Sequence, residues 1–164
     1  MIVDLNDFPK IKEESLKGKK FVCCSGFFDP IHPGHVSYIR ESKKFGDILV
    51  VIVNGDMQCV TKKGKQFMPA KDRAYIVDNI ADVDYTVIYD NPTEYSCYEA
   101  LEIIKPDVFA KGGDRVYPPT GPLLLEVNVL EKNNGKIEYN VGDPKVWSSS
   151  NYLQDWVDFI NNKK

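Results

Sequence analysis

One run of the sequence is apolar at each of its positions: Ile48 to Val53 reads Ile-Leu-Val-Val-Ile-Val. A strand with one face in water would alternate apolar and polar residues, whereas a central strand of a parallel sheet is covered on both faces by helices. The run is also far shorter than the roughly 20 residues that a membrane-spanning helix needs. It therefore predicts the central strand of a parallel sheet in an α/β protein.

Short apolar or β-branched runs alternate along the chain with longer amphipathic stretches, which is the pattern of βαβ units. The predicted strands are Lys20 to Ser25, Ile48 to Asn54, Tyr85 to Tyr89, Val108 to Lys111 and Lys136 to Tyr139. The predicted helices are Pro33 to Phe45, Ala70 to Ala81, Ser96 to Ile104, Leu123 to Asn133 and Asn151 to Ile160. This order predicts a Rossmann-like, doubly wound sheet of five parallel strands flanked by helices.

The length of the chain limits the number of domains. A chain of 164 residues can bury roughly two thirds of its unfolded surface around one core, so we expect a single domain over residues 1–164. Residues 1–18 are expected to form an arm or helix, and the stretch from Lys62 to Lys65 a mobile loop. Asp4 and Asp7 lie where a signal peptide would be basic and apolar, which predicts a cytoplasmic protein without a membrane partner.

Charge and cysteine content argue against several kinds of site. A formal net charge of -3 argues against a broad basic face for nucleic acid. The chain has no C-x-x-C pair and lacks the cysteine density of a secreted disulfide scaffold, so we expect buried thiols rather than disulfides or a zinc site. The four cysteines are Cys23, Cys24, Cys59 and Cys97. Any anionic ligand must therefore be held locally.

Both histidines of the chain lie in one tetrapeptide, His32-Pro33-Gly34-His35, shortly after the first predicted strand. Proline suits the first position of a helix, which places His32 at the N-cap and His35 in the first turn. A spacing of three puts both imidazoles on one face, and Gly34 lets a phosphate or sugar approach the backbone closely. At this edge of a parallel sheet, the helix N-terminus also offers unpaired N–H groups to phosphate.

Two imidazoles in this position can donate hydrogen bonds to the negative charge that develops on a phosphate during displacement. The motif therefore favours electrostatic catalysis of phosphoryl or nucleotidyl transfer, with His32 and His35 as catalytic residues. The alternatives are two surface histidines at a helix start, or a metal pair. A metal pair needs further ligands, and without another histidine or a paired cysteine no protein-held metal is expected.

The segment Ser25-Gly-Phe-Phe-Asp-Pro-Ile-His-Pro-Gly-His35 resembles the G-[ST]-F-D-x-x-H-x-G-H signature of a nucleotidyltransferase superfamily. That superfamily includes glycerol-phosphate cytidylyltransferase and heptose-phosphate adenylyltransferase, and the resemblance extends from about Lys20 to Trp156. It implies an enzyme that joins a nucleoside monophosphate from an NTP to a small phosphorylated acceptor and releases pyrophosphate. Mg²⁺ would accompany the triphosphate as cofactor, and the implied assembly is a homodimer.

The resemblance also implies roles for individual residues. The backbone at Phe27 and Phe28 and the turn that contains Pro33 and Gly34 would hold the triphosphate, with both histidines facing the α-phosphate. Further nucleotide contacts would come from Lys62, Arg73, Gly113, Asp114, Ser148 and Ser149. Three alternatives stay open, namely a solvated loop lysine, a turn-forming aspartate and a plain N-cap serine, at Lys62, Asp114 and Ser148 respectively. Arg73 would reach either a phosphate or the edge of the sheet.

Two departures from the cytidylyltransferase pattern bear on the nucleotide. Cytidylyltransferases usually have an arginine in the segment before the last helix and another before a Val-Asp pair. The corresponding stretches here, Asp143-Pro-Lys-Val-Trp147 and Ala81-Asp-Val-Asp84, contain none. Lys111-Gly-Gly-Asp114 and His35-Val-Ser-Tyr38 instead resemble the heptose-phosphate adenylyltransferase branch, which implies ATP and a sugar phosphate.

Three other interpretations of the sequence stay open. The main one is a CTP-dependent cytidylyltransferase that acts on glycerol 3-phosphate or a similar polyol phosphate. A flavin-mononucleotide adenylyltransferase is a more distant one. The third, from another class, is a nucleotide-binding module without catalysis.

Overall fold

The computed structural model describes residues 1–113, 117–144 and 146–163. Its strands are β1 (Phe21–Gly26), β2 (Ile48–Asn54), β3 (Tyr85–Tyr89), β4 (Val108–Gly112) and β5 (Lys136–Val141). They form one parallel sheet in the order β3-β2-β1-β4-β5. The predicted five-stranded parallel sheet is confirmed, and the observed strand ends lie within two residues of the predicted ones.

Helices cover both faces of this sheet. They are α1 (Phe8–Ser15), α2 (Pro33–Lys43), α3 (Asp56–Lys63), α4 (Ala70–Asp78), α5 (Tyr98–Ile104), α6 (Pro122–Lys132) and α7 (Ser149–Asn162). Side chains of α1, α5 and α6 join one apolar core, and side chains of α2 and α4 join the other. The predicted doubly wound architecture is therefore present.

The apolar run in β2 contributes to both cores. Val50 and Ile52 face the first core, whereas Leu49, Val51 and Val53 face the second. The prediction that helices cover this strand on both faces is confirmed. Its predicted central position is wrong, because β1 occupies the middle of the sheet and β2 lies beside it. A run of apolar residues indicates coverage on both faces, and every interior strand of a parallel sheet has that coverage.

The N-terminal residues dock against the sheet. The Val3 N–H donates to the Thr86 carbonyl over 3.0 Å, so the chain begins alongside β3. Phe8, at the start of α1, is fully buried. Its ring packs edge-on against Phe21 and Tyr85, with centroid distances of 5.9 and 5.7 Å. The predicted N-terminal helix thus covers part of the first core.

Helix α3 is not among the predicted helices, and its last turn, Lys62 and Lys63, overlaps the loop predicted from Lys62 to Lys65. Gly64 ends the helix in the left-handed conformation with φ of 85°. The helix has only eight residues and buries only Gln58 and Cys59, so it is too short for apolar periodicity to identify it. Instead, the Gln58 amide accepts from Asn54 Nδ2 over 2.9 Å, which attaches the helix to the end of β2.

All four cysteines are buried free thiols, as predicted. Burial raises the pKa of Cys24 to about 12, so that thiol stays protonated and unreactive. Within the described ranges, no group of three or more His, Cys, Asp or Glu residues has the arrangement of a metal site. No described helix combines the length and apolar character needed to cross a bilayer.

Candidate active site

The chain leaves β1 at the carboxyl edge of the sheet and enters α2 through a tight turn. Phe28 occupies the left-handed conformation with φ of 51°, and its ring is buried. A Cβ atom on Gly26 would lie only 2.8 Å from Phe28 Cζ, so glycine is required there. The Phe28 ring then meets His35 edge-on at a centroid distance of 5.1 Å. The Phe28 ring of this turn therefore packs against the side chain of His35.

The two imidazoles stack on each other at the start of α2. His32 is the N-cap residue, Pro33 begins the helix, and the ring centroids of His32 and His35 lie 3.6 Å apart. The predicted placement of both rings on one face is confirmed. The backbone N–H of His32 donates to His35 Nδ1 over 3.3 Å, which assigns the ring proton of neutral His35 to Nε2. His35 can thus donate from Nε2 to a phosphate oxygen.

Burial lowers the pKa of His35 to about 3, with smaller contributions from His32 and Lys63 in the same direction. Loss of solvation disfavours the charged imidazolium, and nearby positive charge disfavours it further. His35 is therefore neutral at physiological pH. It can act on a phosphate as a hydrogen-bond donor rather than as a cation.

The lowered pKa predicts an acid-dependent loss of stability. The unfolded chain takes up a proton at His35 near pH 6.5, whereas the folded protein does so only near pH 3. The stabilisation is therefore fully present above pH 6.5 and is lost as the pH falls from 6.5 towards 3, which amounts to about 2 kcal/mol at pH 5. In urea denaturation, the native protein should lose about 2 kcal/mol more than His35→Asn between pH 7.5 and pH 5. Equal losses would contradict the assignment.

A buried arginine, Arg73, fixes the turn between β1 and α2 through hydrogen bonds. The Arg73 guanidinium, on α4, donates to the carbonyls of Phe27 and Asn54 over 2.7 and 2.6 Å. It also donates to the Met68 carbonyl and pairs with Asp56 at 2.9 Å. Its side chain has no exposed surface. In this structure Arg73 positions the ends of β1 and β2 rather than facing a ligand, and its contact with a nucleotide stays a prediction.

The buried carboxylate of Asp29 also fixes this turn through hydrogen bonds. Asp29 is 1% exposed and accepts the backbone N–H groups of Phe67 and Met68, each over 2.8 Å. Lys63 donates to the Asp29 carbonyl over 2.9 Å. These contacts attach the segment between α3 and α4 to the turn that precedes the histidines.

The first turn of α7 lies beside the same turn. Ser148 is its N-cap and accepts from the Asn151 N–H over 3.5 Å. Ser149 Oγ donates to the Pro30 carbonyl over 2.8 Å, and the Tyr152 ring lies 6.3 Å from that of His32. The structure thus brings the two predicted serines to the histidines. It also shows the N-cap role of Ser148, whereas their contacts with a nucleotide stay predictions.

The two glycines predicted to contact the nucleotide, Gly34 and Gly113, lie at this edge of the sheet. A Cβ atom on Gly34 would be 3.1 Å from Trp147 Cε3 and 3.2 Å from the His32 ring. Gly34 therefore makes room for these two side chains, and the close approach of a ligand to it stays a prediction. Gly113 follows β4, with the Asp143 carbonyl 4.0 Å from the position of a Cβ. The predicted Asp114 lies outside the described residues.

A cavity of about 120 Å³ lies on the other side of the turn from His35. Its lining residues come from the carboxyl ends of three strands, the turn after β1, the last turn of α3, the segment before α5 and the start of α6: Ser25, Gly26, Phe27, Asn54, Lys62, Tyr95, Lys111, Pro122, Leu123 and Glu126. Lys62 Nζ lies 4.4 Å from the Phe27 ring centroid and 5.7 Å from that of Tyr95. The predicted phosphate-binding lysine is thus placed at this cavity, which we call the acceptor cleft.

The acceptor cleft contains a buried ion pair that sequence reasoning missed. Lys111 Nζ lies 2.7 Å from Glu126 Oε2, and the side chains are only 11% and 6% exposed. Two signals could have found it: a lysine at the end of an apolar strand, and a glutamate within the apolar run that begins α6. Both are charges at positions where the surrounding pattern predicts burial.

The sequence matches a family model described as cytidylyltransferase-like over residues 23–143. The chain belongs to the cytidylyltransferase-like family. The predicted superfamily is confirmed. The matched range begins within β1 and includes the histidine turn, the acceptor cleft and the end of β5.

Two curated relatives are bifunctional proteins named HldE. The bifunctional protein HldE of a Nitratiruptor species is 40% identical over 116 residues, which cover 67% of this chain and 24% of that protein. The bifunctional protein HldE of Geobacter metallireducens is 36% identical over 130 residues, covering 78% and 25% respectively. The chain thus spans about a quarter of the length of these relatives.

Solved structures share the fold. The lipopolysaccharide core biosynthesis protein from Thermoplasma volcanium superposes with a TM-score of 0.64 and 26% identity, over 77% of this chain and 100% of that chain. The pantoate-beta-alanine ligase of Francisella tularensis, complexed with beta-gamma ATP and beta-alanine, gives a TM-score of 0.60. Its identity is 17% over 93% of this chain and 72% of that one, so this likeness concerns the fold alone.

Proposed function

We propose that this nucleotidyltransferase joins a nucleoside monophosphate, from ATP in preference to other nucleotides, to a small sugar phosphate and releases pyrophosphate. The observation that carries the proposal is the stacked pair of His32 and His35 at the N-terminus of α2. That helix end lies at the carboxyl edge of a parallel sheet, where N–H groups and imidazoles can meet a triphosphate.

The reaction would be a direct displacement without a covalent enzyme intermediate. A phosphate oxygen of the acceptor forms a bond to the α-phosphorus, and the bond from that phosphorus to the oxygen bridging to the β-phosphate breaks. Pyrophosphate leaves with the bonding electron pair. His35 Nε2–H and the first N–H groups of α2 donate to the α-phosphate oxygens, where negative charge develops in the transition state.

Magnesium bound to the triphosphate would neutralise charge on the leaving pyrophosphate. We propose that it comes with the nucleotide, because the carboxylates beside the turn already have partners. Asp29 accepts two backbone N–H groups, and Asp56 pairs with Arg73. No step assigned to the protein side chains depends on a magnesium ligand from the chain.

The preference for ATP and a sugar phosphate is supported by sequence. The two arginines usual in cytidylyltransferases are missing from the segments 81–84 and 143–147. The motif Lys111-Gly-Gly-Asp114 resembles the heptose-phosphate adenylyltransferase branch, and curated relatives named HldE reach 40% identity. The CTP-dependent enzyme for glycerol 3-phosphate is the second candidate, favoured by the description of the matching family model.

A panel of substrates tests this function. Each of the four nucleoside triphosphates is combined with glycerol 3-phosphate, ribose 5-phosphate, glucose 1-phosphate, mannose 1-phosphate and heptose phosphates, and pyrophosphate release is measured with magnesium present. We expect the highest kcat/KM for ATP with a sugar phosphate. Highest activity for CTP with glycerol 3-phosphate would identify the second candidate. Nucleotide binding without turnover on any acceptor would instead identify a binding module.

Two further predictions accompany this function. The homodimer follows from the family resemblance, and the cytoplasmic location from the sequence. Helix α7 is a suitable contact surface for a second copy because it exposes Tyr152, Trp156, Phe159 and Ile160. Contiguous exposed apolar side chains of this kind mark interaction surfaces in soluble proteins.

A further inference from the structure

The ion pair of Lys111 and Glu126 is fixed by its surroundings. Lys111 Nζ also lies 3.3 Å from Ser25 Oγ and 4.4 Å from the centroid of the Phe109 ring. Glu126 Oε1 accepts from the backbone N–H and from the thiol of Cys97, each over 3.2 Å. Both charged groups therefore have defined positions at the carboxyl edge of the sheet, and neither moves freely into solvent.

Stability alone is a weak explanation for this pair. Removing two charges from water is costly, and apolar side chains of similar volume often serve a protein core equally well or better. The pair lies, moreover, at the wall of a cavity rather than within one of the two apolar cores. A buried pair that borders a cleft is better explained by a ligand that contacts it.

The charges that line the acceptor cleft show what kind of ligand it suits. Of the described residues that line it, three carry a formal charge: Lys62, Lys111 and Glu126. Lys111 and Glu126 pair with each other, and Lys62 lies at the side formed by Phe27 and Tyr95. An ammonium group in that place can bind a phosphate group of a ligand. The rest of such a ligand would meet neutral hydrogen-bonding groups and the ion pair.

The position of the cleft is suitable for an acceptor. Phe27 forms part of its wall, while the neighbouring Phe28 contacts His35 on the opposite side of the turn. A phosphate held near Lys62 would thus approach the turn from the α5–α6 side. This placement gives Lys62 to the acceptor phosphate, whereas the family resemblance implies a nucleotide contact for it. The nucleotide would lie on the α2 side, where the imidazoles are stacked.

We propose that Glu126 is a specificity-determining residue that accepts a hydrogen bond from a hydroxyl group of the acceptor. This inference rests on the proposed function, because it assigns the cleft to the acceptor of that reaction. A carboxylate has about four lone-pair sites, and the Cys97 N–H, the Cys97 thiol and Lys111 occupy no more than three of them. The remaining site suits a hydroxyl donor. A buried site built for a hydroxyl group disfavours a phosphate ester that lacks one, since its polar group then stays unpaired.

Titration calorimetry with two kinds of probe tests the proposal without turnover. The acceptor cleft is titrated with ethyl phosphate, which has no hydroxyl group on its carbon chain, and with a set of hydroxyl-bearing phosphates: glycerol 3-phosphate, ribose 5-phosphate, glucose 1-phosphate and mannose 1-phosphate. We expect the native protein to bind the best hydroxyl-bearing probe about tenfold or more tightly than ethyl phosphate, the factor that corresponds to one charge-assisted hydrogen bond. Glu126→Gln should reduce this ratio to near one. Native protein without the preference would overturn the proposal.

Matched variants separate recognition from folding. Glu102→Gln removes another glutamate that pairs with a lysine, Lys132 at 2.9 Å, but lies outside the cleft, and it should keep the native ratio. Glu126→Gln leaves Lys111 without its counter-charge and can destabilise the fold. The double variant Lys111→Met with Glu126→Leu replaces the pair by apolar groups. It should fold, bind ethyl phosphate through Lys62, and show no hydroxyl preference; a folded double variant that keeps the preference overturns the proposal.

The outcome is distinguishable from a failure of the proposed function. If the native protein shows the hydroxyl preference but releases no pyrophosphate with any nucleotide, the function fails and the recognition role of Glu126 stands. If the protein turns over ATP and a sugar phosphate while Glu126→Gln lowers kcat/KM for ethyl phosphate and for that sugar phosphate equally, the function stands and the recognition role fails.

Discussion

Replacing His35 by alanine is expected to lower kcat by about a hundredfold or more, the usual effect of removing one placed electrostatic donor. Because His35 Nδ1 accepts the His32 N–H, we expect Nε2–H to be the group that donates to a ligand. Alanine removes the donor and the stacking contact with His32 at 3.6 Å. The measurement is pyrophosphate release at saturating substrates.

Two variants show whether the loss is chemical. His35→Asn retains an oxygen that can accept the His32 N–H but has no group at the Nε2 position, so it should lose activity to the same extent as His35→Ala while losing less stability. Glu102→Ala removes an exposed pair with Lys132 away from the histidines and should keep full activity. Activity of His35→Asn close to the native value would show that Nε2 has no role in the reaction.

Replacing Arg73 by methionine is expected to destabilise the protein by roughly 3 kcal/mol or more, since each buried acceptor left unpaired costs about 1–3 kcal/mol. The side chain donates to three carbonyls, those of Phe27, Asn54 and Met68. Methionine fills much of the same volume but satisfies none of them. Because the Phe27 carbonyl belongs to the turn before the histidines, kcat should fall as well, even at temperatures where the variant stays folded.

The change in the free energy of unfolding is measured by urea denaturation and compared with that of a variant at an exposed arginine. Arg40→Met removes a 67% exposed side chain whose ion pair with Asp82 is 3.5 Å long, and it should change the free energy of unfolding by less than about 1 kcal/mol. Arg73→Lys keeps the charge with fewer donors in a different geometry, so an intermediate loss is expected. If Arg73→Met were as stable as Arg40→Met, the guanidinium would have no structural task in the turn.

Local patterns were sufficient to predict most of the fold and the centre of the site. The continuous apolar run of β2 indicates a strand that is covered on both faces, and the period of the apolar residues in the amphipathic helices indicates which face is covered. Both patterns can be recognised from residues that are neighbours in sequence. The histidine turn was equally accessible, because the N-cap, Pro33 and a spacing of three define its geometry within one helical turn. The stacked rings of His32 and His35 confirm that argument.

Contacts between distant segments needed the tertiary structure. Helix α3 has only eight residues, too few for apolar periodicity to identify it, and it is held by Gln58, whose partners lie on β2 and on the segment before α5. The middle position of β1 depends on strand order, which apolar runs do not encode. The resemblance leaves Arg73 to reach either a phosphate or the sheet edge, and only the structure shows its acceptors at the ends of two strands and in a loop.

The sequence by itself determined the parallel α/β class, the position of the two histidines at a helix N-terminus and the chemistry that they suit. These features depend on short-range periodicity and on helix geometry. Only the tertiary structure decided that Lys111 and Glu126 meet 2.7 Å apart, and that they do so at a cavity with Lys62. A buried charge is tolerated only where the fold supplies its partner, and that partner can lie anywhere along the chain.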